Sequence, residues 1–238
     1  MYRQALRPAS TITQQAARHT FTSPNTCPFI VFPIRFQSTE TRQGTPTGAT
    51  MAASAATRVS DRIKHDHDEL REYYNNIKNA HRDDDKAKWQ NQFVWELARH
   101  SVAEEIVVYP AFEKHIPNGM VMAEKDRSEH QQVKEKLHTF QSLAPTDPTF
   151  TPTIDSLWES LAQHMQEEER DDLPALEQAL DDEASGQLAR SFDRTKHFVP
   201  TRSHPAAPDR PPYETAVGML ATPLDKLRDM FRRFPEGK

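Results

Sequence analysis

A stripe of apolar positions with helical spacing begins near residue 60 and recurs four times along the chain. Ile63, His67, Leu70, Tyr74 and Ile77 follow at intervals of four, three, four and three residues, which is one face of an α-helix. Ser60 is the expected N-cap, with Asp61 in the first turn. A second helix is expected from Asp83–Asp85, whose carboxylates suit a helix N-terminus. Its stripe is Phe93, Leu97, His100, Glu104, Val107 and Ala111, and Pro110 should kink or end it. IPNG at 116–119 predicts a turn. The third stripe is Ala123, His130, Val133, Leu137 and Phe140, followed by a break at APTDPTFTP, 144–152. The fourth is Ile154, Leu157, Leu161, His164 and Glu168, running on to Ala175 and Ala179. A kink is expected at Pro174 and a stop at Gly186. Short connections favour antiparallel neighbours, so the expected fold class is all-α: an antiparallel up-down-up-down four-helix bundle.

Each stripe contains one histidine: His67, His100, His130 and His164. A single core histidine needs no explanation, but one per helix at matching heights does. Measured from the expected turns, the four lie 11 to 17 residues along their helices. That is roughly 16–26 Å at about 1.5 Å per residue, so they can share one layer. HSVAEEIVVYP (from His100) and HMQEEERDDLP (from His164) repeat the same His, Glu, Glu and Pro offsets. Glu104 and Glu168 each lie one turn after their histidine on the same face. A buried carboxylate must be paired or bind a metal, and no Lys or Arg shares the stripe beside either. Glu105 and Glu169 rotate off the stripe, which places them in solvent or behind the ligands.

Four imidazoles and two carboxylates suit a first-row metal such as Fe or Mn. They are too many for one tetrahedral Zn²⁺, and two metals use the set better. Two six-coordinate ions bridged by both glutamates and an oxo or hydroxo group would each keep an open position for a small ligand. No HExxH, no Gly-rich phosphate loop and no G-x-S-x-G elbow occurs, and none of the four stripe histidines belongs to a Glu-x-x-His motif, since Lys64, Leu97, Arg127 and Leu161 stand three residues before them.

HDHDELREYY with His67, HSVAEEIVVYPAF with His100 and Glu104, EHQQVKEKL with His130, and HMQEEERDDLPAL with His164 and Glu168 together resemble the hemerythrin-like (HHE cation-binding) family over about residues 58–185. The resemblance implies a four-helix bundle holding a non-haem di-iron centre, two Fe ions, with Mn or Zn as alternative metals. It implies a small diatomic or oxidant ligand. O₂-carrying relatives have a further His one turn after the third-helix His, where this chain has Lys134. The four-His, two-Glu set looks more like the branch linked to iron sensing and to iron-centre repair under oxidative or nitrosative stress. The competing readings are a di-iron enzyme and a non-catalytic helical interaction module, and whether the chain turns a substrate over stays open.

The ends differ from the middle. Residues 1–39 hold four arginines and no Asp or Glu, with abundant Ser and Thr, the composition of a mitochondrial transit peptide. The expected location is the mitochondrial matrix, with the cytoplasm as the alternative. Residues 40–57 read as a linker. Without residues 1–39 the formal charge is 26 − 35 = −9, which argues against nucleic acid as partner. The single cysteine, Cys27, excludes a disulfide framework, and no apolar run reaches membrane-spanning length. The extension 186–238 should form a Pro-rich extended strap and a short amphipathic helix capped by Thr222 with Pro223 at N1. Its apolar face, Leu224, Leu227, Met230 and Phe231, would pack on the bundle or dock a protein or membrane surface. His197 and His204 are expected at the surface.

Overall fold

The structure is a computed structural model and describes residues 57–207 and 213–237. The basic leader 1–39 and the linker up to residue 56 lie outside the described residues. Every regular element described is helical: α1 (Val59–Asn79), α2 (Asp83–Ala103), α3 (Tyr109–His115), α4 (Gly119–Phe140), α5 (Phe150–Glu167), α6 (Leu173–Ala179), α7 (Asp182–Lys196) and α8 (Tyr213–Asp229). The segments between α2 and α3 (Glu104–Val108) and between α5 and α6 (Glu168–Asp172) are π-helical turns. Each therefore joins its flanking helices into one long rod, and the four rods are α1, α2–α3, α4 and α5–α6. Sequential rods pack as neighbours, giving the expected four-helix bundle.

Neither proline stops its helix. Proline lacks an N–H and crowds the carbonyl four residues back. In both rods the widened turn precedes the proline, and the Tyr109 and Leu173 amides bond five residues back, to the Glu104 and Glu168 carbonyls. Pro110 and Pro174 then sit in the first turn of α3 and α6. The extra residue per turn also shifts the apolar phase. In α6 the buried side chains are Leu173 and Leu176, with Leu180 just beyond, whereas Ala175 is half-buried and Ala179 exposed.

Other expectations shift for tertiary reasons. Ser60 lies inside α1, whose N-cap is Arg58. The first amides of α1 are satisfied from elsewhere: Val59 N–H donates to Ser185 Oγ (3.0 Å) and Ser60 N–H to Glu177 Oε1 (3.0 Å). In α1 Tyr73 joins the core, while Tyr74 is half-buried and stacks on Trp158, centroids 4.3 Å apart. Gly186 ends nothing: it is buried within α7, which packs against α1, α2 and the first π turn. The extension is thus more helical than expected, because α7 carries Ala189 and Phe192 into the core.

Residues 197–207 form the strap, held on α4 by Ser203 Oγ donating to the Lys134 carbonyl (2.6 Å). Thr222 does not cap α8, which already runs from Tyr213, and its hydroxyl donates to the Phe198 carbonyl (2.9 Å). Asp225 is buried against His204 (2.8 Å), which removes His204 from the free surface, whereas His197 is exposed. The polar side of α8 faces the protein, and Leu224, Leu227, Met230 and Phe231 are exposed. No helix of the described residues is long and apolar enough to cross a membrane.

The apolar core has two halves. Leu70, Ile77, Phe93, Leu97, Leu137, Phe140 and Leu161 fill one; Ile63, Val108, Phe112, Leu173, Leu176 and Phe192 fill the other. Between them lies the layer of buried histidines and glutamates. The connection into α4 is tight: Asn118 adopts a left-handed conformation (φ 64°), and a Cβ on Gly119 would meet the Phe112 carbonyl oxygen at 1.9 Å. Gly119→Ala should therefore lower stability by about 2 kcal/mol or more, since the clash is with backbone. Thermal denaturation of the metal-free protein measures it.

Candidate metal centre

The six expected donors converge. His67 from α1, His100 and Glu104 from the α2–α3 rod, His130 from α4, and His164 and Glu168 from the α5–α6 rod are each no more than 2% exposed. His67 and His100 pair edge to face with centroids 4.9 Å apart, and His130 and His164 do the same at 4.6 Å. Ligand atoms of His67, His100 and Glu104 fall within 4.8 Å of one another, and so do those of Glu104, His130 and His164. Glu104 belongs to both triplets and so links them.

Each imidazole is oriented by a carboxylate behind it. His67 Nδ1 lies 2.7 Å from Glu169, His100 Nδ1 3.2 Å from Asp66, His164 Nδ1 2.9 Å from Glu129 and His130 Nδ1 3.3 Å from Glu105. The Nε2 atoms face inward: His67 to Glu168 (3.3 Å), His100 and His130 to Glu104 (3.2 and 3.4 Å), and His164 to His130 Nε2 (3.0 Å). A carboxylate on the outer nitrogen fixes the tautomer and raises the basicity of the inner one, as metal-binding histidines require.

Sequence spacing placed Glu105 and Glu169 in solvent or behind the ligands, but it did not reveal Asp66 and Glu129. Asp66 and Glu129 each directly precede a stripe histidine, which was the available signal. Glu169 is partly buried, as a residue behind the ligands should be. Glu105 is not in solvent: it is 1% exposed and accepts from Lys134 Nζ (3.0 Å). The π turn starting at Glu104 makes this burial of adjacent glutamates compatible with one rod. The same turn brings in Tyr109, fully buried, with its hydroxyl 2.9 Å from His130 Nε2. Lys196, from α7, donates to Asp66 and Glu96 and so reaches the group that orients His100.

The donor set fits cations. Both oxygens of Glu104 and Glu168, and Nε2 of His67 and His100, are buried and make no hydrogen bond within the protein. Such atoms are strongly disfavoured unless something binds them. Burial and the neighbouring Glu168 push Glu104 far above the usual carboxylate range. Burial acts on Glu168 in the same sense, but His67, His164 and His100 outweigh it and hold Glu168 down to about 2. Two carboxylates forced apart in this way are a pair that positive charge would reconcile. Burial lowers His100, and lowers His130 to about 4, whereas at His67 and His164 the carboxylates alongside outweigh burial and raise both rings.

Beside this layer, burial and Asp172 push Asp126 up to about 7, while burial and Glu168 push Asp172 up to about 6. The folded chain then binds protons that the unfolded chain has released. These groups therefore weaken the metal-free fold as pH rises from about 5 to about 7. Melting of the metal-free protein across that range should show a falling Tm, and Asp126→Asn should flatten the fall.

Residues 58–176 match the family profile of the hemerythrin HHE cation binding domain. A hemerythrin-like protein of Schizosaccharomyces pombe is 57% identical over 180 residues, covering 75% of this chain and 89% of that one. A protein named DNA nickase from Nostoc sp. is 23% identical over 144 residues, 60% of this chain and 40% of that one. Among solved structures, a hemerythrin HHE cation-binding domain-containing protein of Mycobacterium kansasii superposes with a TM-score of 0.52 at 21% identity, covering 59% of this chain and 86% of that one, a likeness of fold. Four helices delivering four buried histidines to one layer, with a profile match across that region and a relative 57% identical over 75% of this chain, show that the chain belongs to the hemerythrin HHE cation-binding family.

Proposed function

We propose that the chain is a non-haem di-iron protein that binds or senses a small oxidant ligand, O₂, NO or peroxide, through two metal ions held by His67, His100, Glu104, His130, His164 and Glu168. The observation that carries this reading is the set of buried, inward-facing Nε2 and carboxylate atoms with no hydrogen-bond partner in the protein. Glu104, common to both triplets, would be the carboxylate that serves both ions. When bound, the iron pair supplies positions for an exogenous ligand and a change of oxidation state.

The protein's own groups bias what happens there. Lys134 stands where O₂-carrying relatives have a His, and its ammonium is tied to Glu105 at 2.7 Å. It offers no free nitrogen lone pair to a metal, which favours sensing or oxidant chemistry over reversible O₂ carriage. Tyr109 supplies an O–H inside the layer. Burial and the charge of Glu104 raise its phenol well above the usual range, so it stays protonated and able to donate. The apolar halves of the core on either side limit water. The acid-free, arginine-bearing residues 1–39 support a mitochondrial matrix location.

Elemental analysis of the full chain after anaerobic Fe²⁺ loading tests the reading. About two irons per chain are expected, with the fold stabilised by about 2.7 kcal/mol when free metal is 100 times Kd. His100→Ala should lose most of the iron and the stabilisation. Asp66→Asn, which removes the support behind His100, should weaken binding by roughly 10- to 100-fold. A wild-type protein that takes up well under one iron per chain would falsify the di-iron reading and leave a non-catalytic helical module. With iron bound, Tyr109→Phe should keep the metal but alter the rate of peroxide consumption or the NO-adduct spectrum.

A further inference from the structure

Outside the six donors, a second acidic group presents a carboxylate that the fold leaves uncompensated. Asp126 lies one turn before His130 on α4, is fully buried, and neither of its oxygens makes a hydrogen bond. The Lys125 ammonium is 3.9 Å from one of them, beyond hydrogen-bonding range. Asp126, Glu129 and His164 present ligand atoms within 4.8 Å of one another. Asp172, one turn past Glu168 and also buried, adds its charge to the same place.

This cluster has an inner and an outer side. Inward it meets the centre at His164, whose Nδ1 pairs with Glu129 and whose Nε2 faces His130. Outward, a cavity of about 150 Å³ lies between α4 and α5, lined by Glu129, Gln132, Ser160, Gln163 and His164. Glu129 is 25% exposed, and Lys125, itself 47% exposed, bridges it to Glu167 at 3.2 and 2.7 Å. A flexible surface ammonium is the kind of cation that a stronger one displaces.

We infer that Asp126 and Glu129, beside His164 and reinforced by Asp172, form a third cation site, which takes a hydrated divalent metal ion from the α4–α5 cavity and passes it to the dinuclear centre. The inference rests on the di-iron reading and adds the route by which the metal arrives. Oxygen donors with room for water hold a hydrated ion loosely, whereas the histidine-rich centre holds a first-row metal firmly. The gradient from one to the other points inward. A cleft lined by one sign of charge also speeds capture of the opposite charge, by roughly 10- to 1,000-fold.

Two measurements on the full chain test it. Crystals soaked in Mn²⁺ should show an anomalous peak between Asp126 and Glu129 in addition to those at the centre, and Asp126→Asn should lose that peak alone. Metal-free Asp126→Asn should load Fe²⁺ about tenfold or more slowly in anaerobic time courses, yet reach the wild-type metal content. Asn has the same shape and removes a buried charge, so the metal-free variant should melt no lower than wild type at pH 7. Asp172→Asn, which removes the reinforcing charge without touching a group that orients a histidine, should be a second slow loader. Peaks at the centre only, or wild-type loading rates in both variants, overturn this inference and leave the di-iron reading standing. Metal at neither place overturns both.

Discussion

Two glutamates and four histidines closed off from water in the middle of a helical bundle set the terms for everything around them. Glu104 and Glu168 are fully buried and lack hydrogen-bond partners, and charge cannot be left like that without compensation. The fold manages the layer by surrounding it. Glu169, Asp66, Glu105 and Glu129 hold the outer edges of the rings, and apolar side chains close the space on both sides. These supports hold the imidazoles with Nε2 inward, and a bound metal would neutralise what remains. Stability and metal binding are in this sense one property, as expected where ligands from four helices meet only in the folded state.

The two π-helical turns are the device that makes the layer possible. Each begins at the glutamate one turn after a histidine and ends just before the residue that precedes a proline. The wide turn relieves the clash that proline would otherwise make, and it rotates the rest of the rod. In the first rod the rotation allows Glu105 and Tyr109 to be buried beside Glu104. In the second it turns Leu173 and Leu176, in place of Ala175, toward the core. Single-turn π bulges inside α-helices recur at functional sites, and here the reason is geometric.

The segment after the matched region is part of the same arrangement. α7 buries Phe192 near His100, ring centroids 6.0 Å apart, and places Lys196 on Asp66 and Glu96. The strap is tied to α4 through Ser203, and Arg233, past α8, reaches Asp84 of α2; α8 itself lies on the strap through Thr222 and Asp225. The polar side of α8 makes these contacts, so its apolar residues point outward. The expectation that the extension packs on the bundle holds; the expectation that its apolar face would do the packing does not apply to the described side chains.

The sequence by itself determined four amphipathic helices, their antiparallel order and the six His and Glu side chains that share the buried layer, because burial imposes a period of 3.6 residues and a histidine within that period is visible as an exception. The family resemblance could be read from the same motifs. Tertiary structure alone decided the rest. The turn that lets Glu105 join Glu104 in the interior breaks the period, so no count along the chain could find it. Asp66 and Glu129 became supports of His100 and His164 only when helices 34 and 35 residues apart in sequence came together. Ser60 lost its capping role to Glu177 and Ser185 for the same reason. Periodicity reports which face of a helix is buried; which atoms meet on that face is settled by packing between segments distant in the chain.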